Sequence, residues 1–495
     1  LKFYSIDPAV EEAIAAGKDR IRLKVEIDYR NTGEYEAARE ADILEAVFTS
    51  AKEAAGGTAS RGEIILDNRG GEYSGRGGRA GSAVDVSFSV GNGRPFARRF
   101  ALYVDEAGFR ELRGPGSRRR VRIALGDLSY ALRKTDEARD WRNPVVFAYV
   151  TVCDKTQAEQ SLVHLAAKRA GLTAADIDCS TIVFGLPYVR LERNLWAELS
   201  ELATAYRCHL ECAIEKPLVF AHSPYQLESE EPAESSYRFH GGNLFFLRSR
   251  SLFDEYRNTV RLRFNRPVSL PRGEIWRYED PPVVYDANLV PSYPFRLANP
   301  RAVSGADYAA RYRVREAGGT ERAVVYTDQV DDLVQASGRL GYSGGPLGYT
   351  VYDTTSYRDR AILRIEPVAD AELRTAAIHG RPIVYDLNCS AYVRDESGIA
   401  RYGTRALNST GGFFSSDPVN GKAQYEDWAE RELAYRLRER RLFTCRMNRP
   451  VFHARVGAAV TVAEEGTETA ATIRSMELRY RKREAFVASF NLEEA

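Results

Sequence analysis

Residues 20–29 read RIRLKVEIDY. Ile21, Leu23, Val25, Ile27 and Tyr29 alternate with Arg22, Lys24, Glu26 and Asp28. A period of two puts every apolar side chain on one face, which predicts a strand with one face buried. Outward from it, similar short runs stand at 42–49, 62–67, 84–90, 100–104 and 120–125. Turn chemistry separates them at Gly56-Gly57, 68–71, 91–93 and 114–116. Short strands at this spacing fit a barrel or a sandwich. The Gly/Arg stretch 69–81 reads as an exposed loop.

The texture changes near residue 150. Thr156 and Glu159 form a T-x-x-E capping pattern, and Ala158, Leu162, Leu165, Ala166 and Arg169 recur at helical spacing up to Gly171. A second helix is predicted over 194–207, where Leu195, Leu199, Leu202 and Tyr206 form one apolar stripe. Trp196 adjoins that stripe and is expected at its border. Strands at 209–214 and 218–222 follow, around a turn at 215–217. The stretch 223–237 is acidic and poor in apolar residues, a surface connection. Beyond it β patterns return at 258–264, 361–365, 382–386, 456–462, 472–480 and 486–492. A long helix at 423–441 interrupts them, with the acid-first pairs Asp427/Arg431 and Glu432/Arg436. Five prolines within 277–301 argue against central strands there.

Composition bounds the function. The 495 residues are 44% hydrophobic and 28% charged, as in folded globular chains, which excludes a wholly disordered one. A net charge of +1 leaves no global field pointing to nucleic acid. No run approaches a membrane span, so no stable membrane insertion is expected, and residues 1–20 lack the apolar core of a secretory signal. Sixty of the 70 basic residues are Arg, which a GC-rich genome explains as well as selection for bidentate contacts does.

Few motifs carry chemistry. Gly341-Tyr342-Ser343-Gly344-Gly345 matches G-x-S-x-G, yet its flanks fit neither the strand before nor the helix after a nucleophile elbow. Cys208, His209 and Cys212 lie close together, while Cys153, Cys179, Cys389, Cys445, His164, His222, His240, His379 and His453 are scattered singly. A structural zinc wants four ligands, so the cysteines read as free thiols filling apolar positions. Arg69-Gly70-Gly71 and Arg76-Gly77-Gly78 are too few for an RNA-binding R-G-G tract. There is no Walker A, no H-E-x-x-H and no dinucleotide fingerprint. A glycosidase carboxylate pair cannot be picked from 69 acidic residues. No catalytic, cofactor-binding or metal-ligating residue is assigned, and no enzyme or cofactor is expected.

The order of these patterns resembles the central hub (baseplate hub) proteins of bacteriophage tails and contractile injection systems. Three stretches carry the resemblance. The strand Gly62-Glu63-Ile64-Ile65-Leu66-Asp67-Asn68 followed by Gly70-Gly71-Glu72-Tyr73-Ser74 is similar to the first hub barrel. The helix at 158–172 and LWAELSELATAYRCHLECAIEKPLVF at 195–220 resemble the hub's helical insert. The stretch 423–443 with its helix, GAAVTV at 457–462 and the hairpin 472–492 resemble its C-terminal domain. The chain departs at Glu215-Lys216-Pro217, where hub hairpins turn on Gly. The spans 277–301 and 337–349 match nothing in the family. With residue 495 close after the last strand, no appended hydrolase is expected.

The resemblance implies a β-rich α+β fold with two tube-like β-barrel domains, a small helical α+β insert and a further β domain. The expected boundaries are 1–142 for the N-terminal barrel, 143–225 for the insert, 226–390 for the third, β-rich domain and 391–495 for the C-terminal hub domain. It implies a homotrimer that closes the distal end of the tail tube and passes DNA without binding it specifically. Expected partners are a tail tube or distal tail protein, the tape measure protein, and spike or fibre proteins. The implied location is the virion tail, assembled in the host cytoplasm. The competing readings are a tail-associated glycan hydrolase or depolymerase, and a carbohydrate-binding adhesin.

Overall fold

The computed structural model describes residues 3–494 apart from 17–19, 54–56, 74–79, 92, 114–118, 135–144, 148–149, 159–160, 187–188, 192–193, 206–207, 223–234, 439, 450 and the connections 270–272, 279–282, 286–291, 297–301, 304–308, 317–320, 327–338, 341–346, 353–359, 368–370, 381 and 412–420. Between 264 and 389 it describes backbone alone. The chain is a β-rich α+β protein with helices α1 (Pro8–Ala16), α2 (Leu128–Leu132), α3 (Leu162–Arg169), α4 (Leu195–Ala205), α5 (Glu396–Tyr402) and α6 (Gly421–Leu437) among the described residues. No helix among them is long and apolar enough to cross a membrane.

All six N-terminal strands form. They are β1 (Ile21–Ile27), β2 (Ile43–Lys52), β3 (Gly57–Asp67), β4 (Ala83–Val90), β5 (Ala97–Arg113) and β6 (Arg119–Gly126). In β1 burial alternates residue by residue, so the period-two pattern is a half-buried strand. The insert contributes β7 (Val150–Cys153), β8 (Ile177–Cys179), β9 (Cys208–Glu211) and β10 (Leu218–His222). Further on come β11 (Phe246–Ser251), β12 (Thr259–Ser269), β13 (Pro382–Arg394), β14 (Ala406–Gly411), β15 (Arg441–Met447), β16 (Ala459–Glu464), β17 (Thr467–Arg481) and β18 (Val487–Glu494).

One hydrogen-bonded sheet runs β11-β15-β18-β17-β2-β3-β6-β5-β4-β1. Its central joint is antiparallel pairing of β2 with β17, in which Phe48 faces Leu478 and Val47 faces Arg479. The two ends of the chain also share one core. Phe48, Ile64, Phe88, Phe100 and Ile123 pack in the same cluster as Phe443, Phe452, Ile473, Leu478 and Phe490. The Phe88 ring stacks on Phe452 at 5.2 Å and meets Phe486 edge-on at 6.0 Å. Tyr73, the aromatic of the G-x-Y turn, is buried in this core and donates to Asp42 Oδ2 at 2.9 Å.

The insert has its own core. Leu162, Leu195, Leu199 and Leu202 pack with Leu210, Leu218 and Phe220, so both helical stripes lie on the β9–β10 hairpin as expected. Leu165 is only partly buried. Trp196 is not at a border. It is 2% exposed, because its indole lies over β3 and its Nε1–H donates to Glu53 Oε2 at 3.0 Å. The T-x-x-E pattern does not start α3, which begins after Ser161. The Thr156 hydroxyl instead donates to Asp154 Oδ1 at 2.7 Å, and Glu159 lies outside the described residues. Of the two ion pairs read on the long helix, Glu432–Arg436 forms at 2.8 Å and the Asp427 side chain lies outside the described residues.

Gly57 is no turn residue. It opens β3, where an added Cβ would stand 2.5 Å from Trp196 Cζ2 and 2.8 Å from Ser200 Oγ. Gly57→Ala therefore forces α4 away from the sheet, and we expect a loss of about 1–3 kcal/mol in denaturant melts. An unchanged midpoint would mean that α4 does not seat on β3. In the proline-rich span, Pro294 lies in the strand Ser292–Arg296 at the end of its sheet, where a missing N–H is tolerated.

Candidate functional site

Four separated parts of the chain converge where the insert meets the main sheet. Tyr4 comes from the N-terminal segment, Arg99 from β5, Glu211 and His209 from β9, and Arg455 from the loop before β16. Arg99 is 5% exposed, an unusual burial for a guanidinium. A β-bulge puts it there. On β4 the residues Val86 and Ser87 are adjacent, but their partners on β5 are Phe100 and Arg98. Arg99 is the extra residue, turned in rather than out.

Its charge is matched by main chain. Arg99 Nε donates to the Phe452 carbonyl at 2.6 Å and Nη2 to that of Ala454 at 2.8 Å. The guanidinium carbons of Arg99 and Arg455 lie 4.6 Å and 5.1 Å from the Tyr4 ring centre. Arg455 also pairs with Glu211, and His209 Nε2 lies 3.0 Å from Glu211 Oε2, close enough for an ion pair but off the hydrogen-bond line. Burial alone would raise the Glu211 carboxyl. The neighbouring His209 and Arg455 outweigh it and hold the group at about 2.

Asp127 lines the same small cavity as Glu211. Burial pushes its carboxyl up to about 6, against hydrogen bonds from Ser129 and Ser60. Its Oδ2 accepts from Ser60 N at 2.5 Å and Oδ1 from Ser129 N at 3.0 Å, the cap of α2. Two carboxyls driven apart in this way are the signature of an acid–base pair. Here both are already spent on structural partners, and the cavity has room for about one water molecule, far less than a sugar ring needs. The arrangement ties four chain segments together.

The residues singled out in the sequence have separate fates. Cys208 is buried in the insert core, and burial pushes its thiol up to about 12. Burial also raises the Cys212 thiol well above its ordinary value. His209 turns to Glu211, so Cys208, His209 and Cys212 do not converge on one point. Gly341–Gly345, with Ser343, lie outside the described residues. The structure does bring together three residues that the sequence scatters, namely Cys153, His164 and Cys179, whose ligand atoms all lie within 4.8 Å of one another. No spacing rule finds them, because they sit on β7, α3 and β8. Arg99 is likewise invisible to alternation, since the bulge that buries it changes the parity.

No family model matches the chain, and no curated protein matches it. Several solved structures do. The 43 kDa tail protein of prophage MuSo2 from Shewanella oneidensis is 12% identical, with 96% of this chain and 98% of that one covered and a TM-score of 0.48. A tail protein from Neisseria meningitidis MC58 is 10% identical, with 96% of each covered and a TM-score of 0.49. The E. coli c3393 protein, a component of the type VI secretion system, is 9% identical, with 95% of this chain and 76% of that one covered and a TM-score of 0.39. These three similar structures are two tail proteins and one secretion-system component.

Proposed function

We propose that the chain is a structural hub of a phage-type tail. Three copies would close the distal end of the tube, join it to spike or fibres and leave an axial channel for DNA. In this reading residues 1–142 and 391–495 are the two tube-like units, 143–225 the insert and 226–390 an outward-facing domain. The observation that supports it is the β2–β17 joint, by which one chain carries its two end regions side by side in one sheet. A threefold assembly imitating a sixfold ring needs such a pair at fixed spacing in each subunit.

The charge balance is compatible with this use. A chain at +1 has little self-repulsion when three copies meet. The channel should lack layers of Arg, which would hold phosphates, so the sixty arginines belong between subunits or on the outer face. At one end of the main sheet β11 exposes Phe246, next to exposed Phe245, as a ring contact would require. We assign the chain no catalytic role.

The test is the mass in solution by light scattering together with particle symmetry by electron microscopy, alone and with neighbouring tail proteins. We expect a trimer with a central channel. Twofold or sixfold symmetry would refute the trimer, and an axial wall ringed by Arg would refute the passage argument even if the trimer stood.

A further inference from the structure

Cys153 closes β7, His164 stands in the first turn of α3 and Cys179 closes β8. Cys153 and His164 are buried and Cys179 is partly so. None of the three thiol or imidazole groups is in a disulfide, and two sulfurs and a ring nitrogen fall within 4.8 Å of one another. A tetrahedral zinc with Zn–S near 2.3 Å and Zn–N near 2.0–2.1 Å spaces its ligand atoms about 3.5–3.8 Å apart. The cluster therefore needs to close by about 1.3 Å at most to reach that geometry.

The imidazole is held for such a role. Its Nδ1 lies 2.8 Å from Ser161 Oγ, and that hydroxyl also accepts from Asp154 N at 3.2 Å. With the Asp154 amide already donating to the hydroxyl, an Nδ1–H can use its second lone pair, which leaves a lone pair on Nε2. Nε2 is buried and has no hydrogen-bond partner among the described residues. A ligand is what such a nitrogen lacks. Two thiolates and an imidazole form a soft donor set, which selects zinc over magnesium or calcium.

We propose that Cys153, His164 and Cys179 bind one Zn²⁺ as a clamp that ties β7, α3 and β8 of the insert together, with water in the fourth position. Binding replaces two thiol protons, so each Zn²⁺ taken up releases two H⁺. This replaces the sequence-based reading of these cysteines as isolated core fillers. It stands independently of the tail-hub proposal.

The experiment uses the full chain, purified under reducing conditions without chelator. Metal content is measured by mass spectrometry, and the chelated protein is titrated with Zn²⁺ and with Co²⁺. We expect one equivalent of zinc, a thiolate-to-cobalt charge-transfer band, and a lower melting temperature after chelation. Cys179→Ser and His164→Gln should weaken binding by more than the roughly 10–100-fold expected of the supporting variant Ser161→Ala. Cys212→Ala should bind as the parent does. Cys179 is partly exposed, so its variant tests the site even if Cys153→Ser fails to fold. Absence of the cobalt band, or unweakened binding by both Cys179→Ser and His164→Gln, would overturn the site. So would a Cys153–Cys179 disulfide in a non-reduced peptide map of protein purified without reductant.

Discussion

Glu211→Gln is expected to destabilise the protein by about 3–5 kcal/mol, because it strips a largely buried guanidinium and a buried imidazole of their shared carboxylate. Arg455 and His209 both face Glu211, which is 4% exposed. Gln keeps the volume and one acceptor, so the loss isolates the charge. The same contact sets a pH dependence. Glu211 titrates near 2 in the folded protein, below the ordinary glutamate range. Its contribution, on the order of 3 kcal/mol, is present above the unfolded pKa and is lost as pH falls from about 4.5 through about 2. Asp127 has the opposite sign. With its folded pKa raised to about 6, it penalises the native state at neutral pH and is relieved as pH falls from about 6 to about 4. In urea melts the parent should lose this component of stability only below about pH 4.5, and Glu211→Gln should lack it. Equal melts for the two proteins at pH 7 would remove the charge cluster from any account of this fold.

Leu199→Ala is the second large effect. Leu199 is fully buried on α4, within the cluster that holds α3 and α4 on the β9–β10 hairpin. Truncation removes three carbons and leaves a cavity beneath Trp196 and the hairpin, at a cost of about 2–5 kcal/mol. Thermal and denaturant melts measure it. A melting curve unchanged from the parent would mean that the stripe Leu195/Leu199/Leu202 does not face the hairpin.

Local order was legible in the sequence where its cause is local. Alternation located all six N-terminal strands, since each buries one face over a run of residues. Helical spacing located α4 and α6 for the same reason, and the proline density correctly kept residue 294 at a sheet edge. What escaped depends on distant partners. Nothing near Phe48 says that Leu478 will lie opposite it. Trp196 looked marginal because the residue that makes room for it, Gly57, is 139 positions away. Thr156 and Glu159 have the spacing of a helix cap, yet Asp154 captures the Thr156 hydroxyl first. The Cys153–His164–Cys179 cluster needs three elements folded together before its chemistry exists.

The β2–β17 joint also has a consequence in time. On the ribosome β2 is complete more than 400 residues before its partner Leu478 is made. At about 5–20 residues per second, one edge of β2 waits on the order of 20–80 seconds for its neighbour. The insert, whose buried residues nearly all lie between Leu132 and Phe220, can assemble during that interval. The complete main sheet cannot, because β15, β17 and β18 emerge only after residue 440. Nascent chains that stall or break before residue 467 would leave the long edge of β2 open to pairing with one another. Synthesis of this protein is thus a race between completing one chain and meeting the unfinished edge of the next.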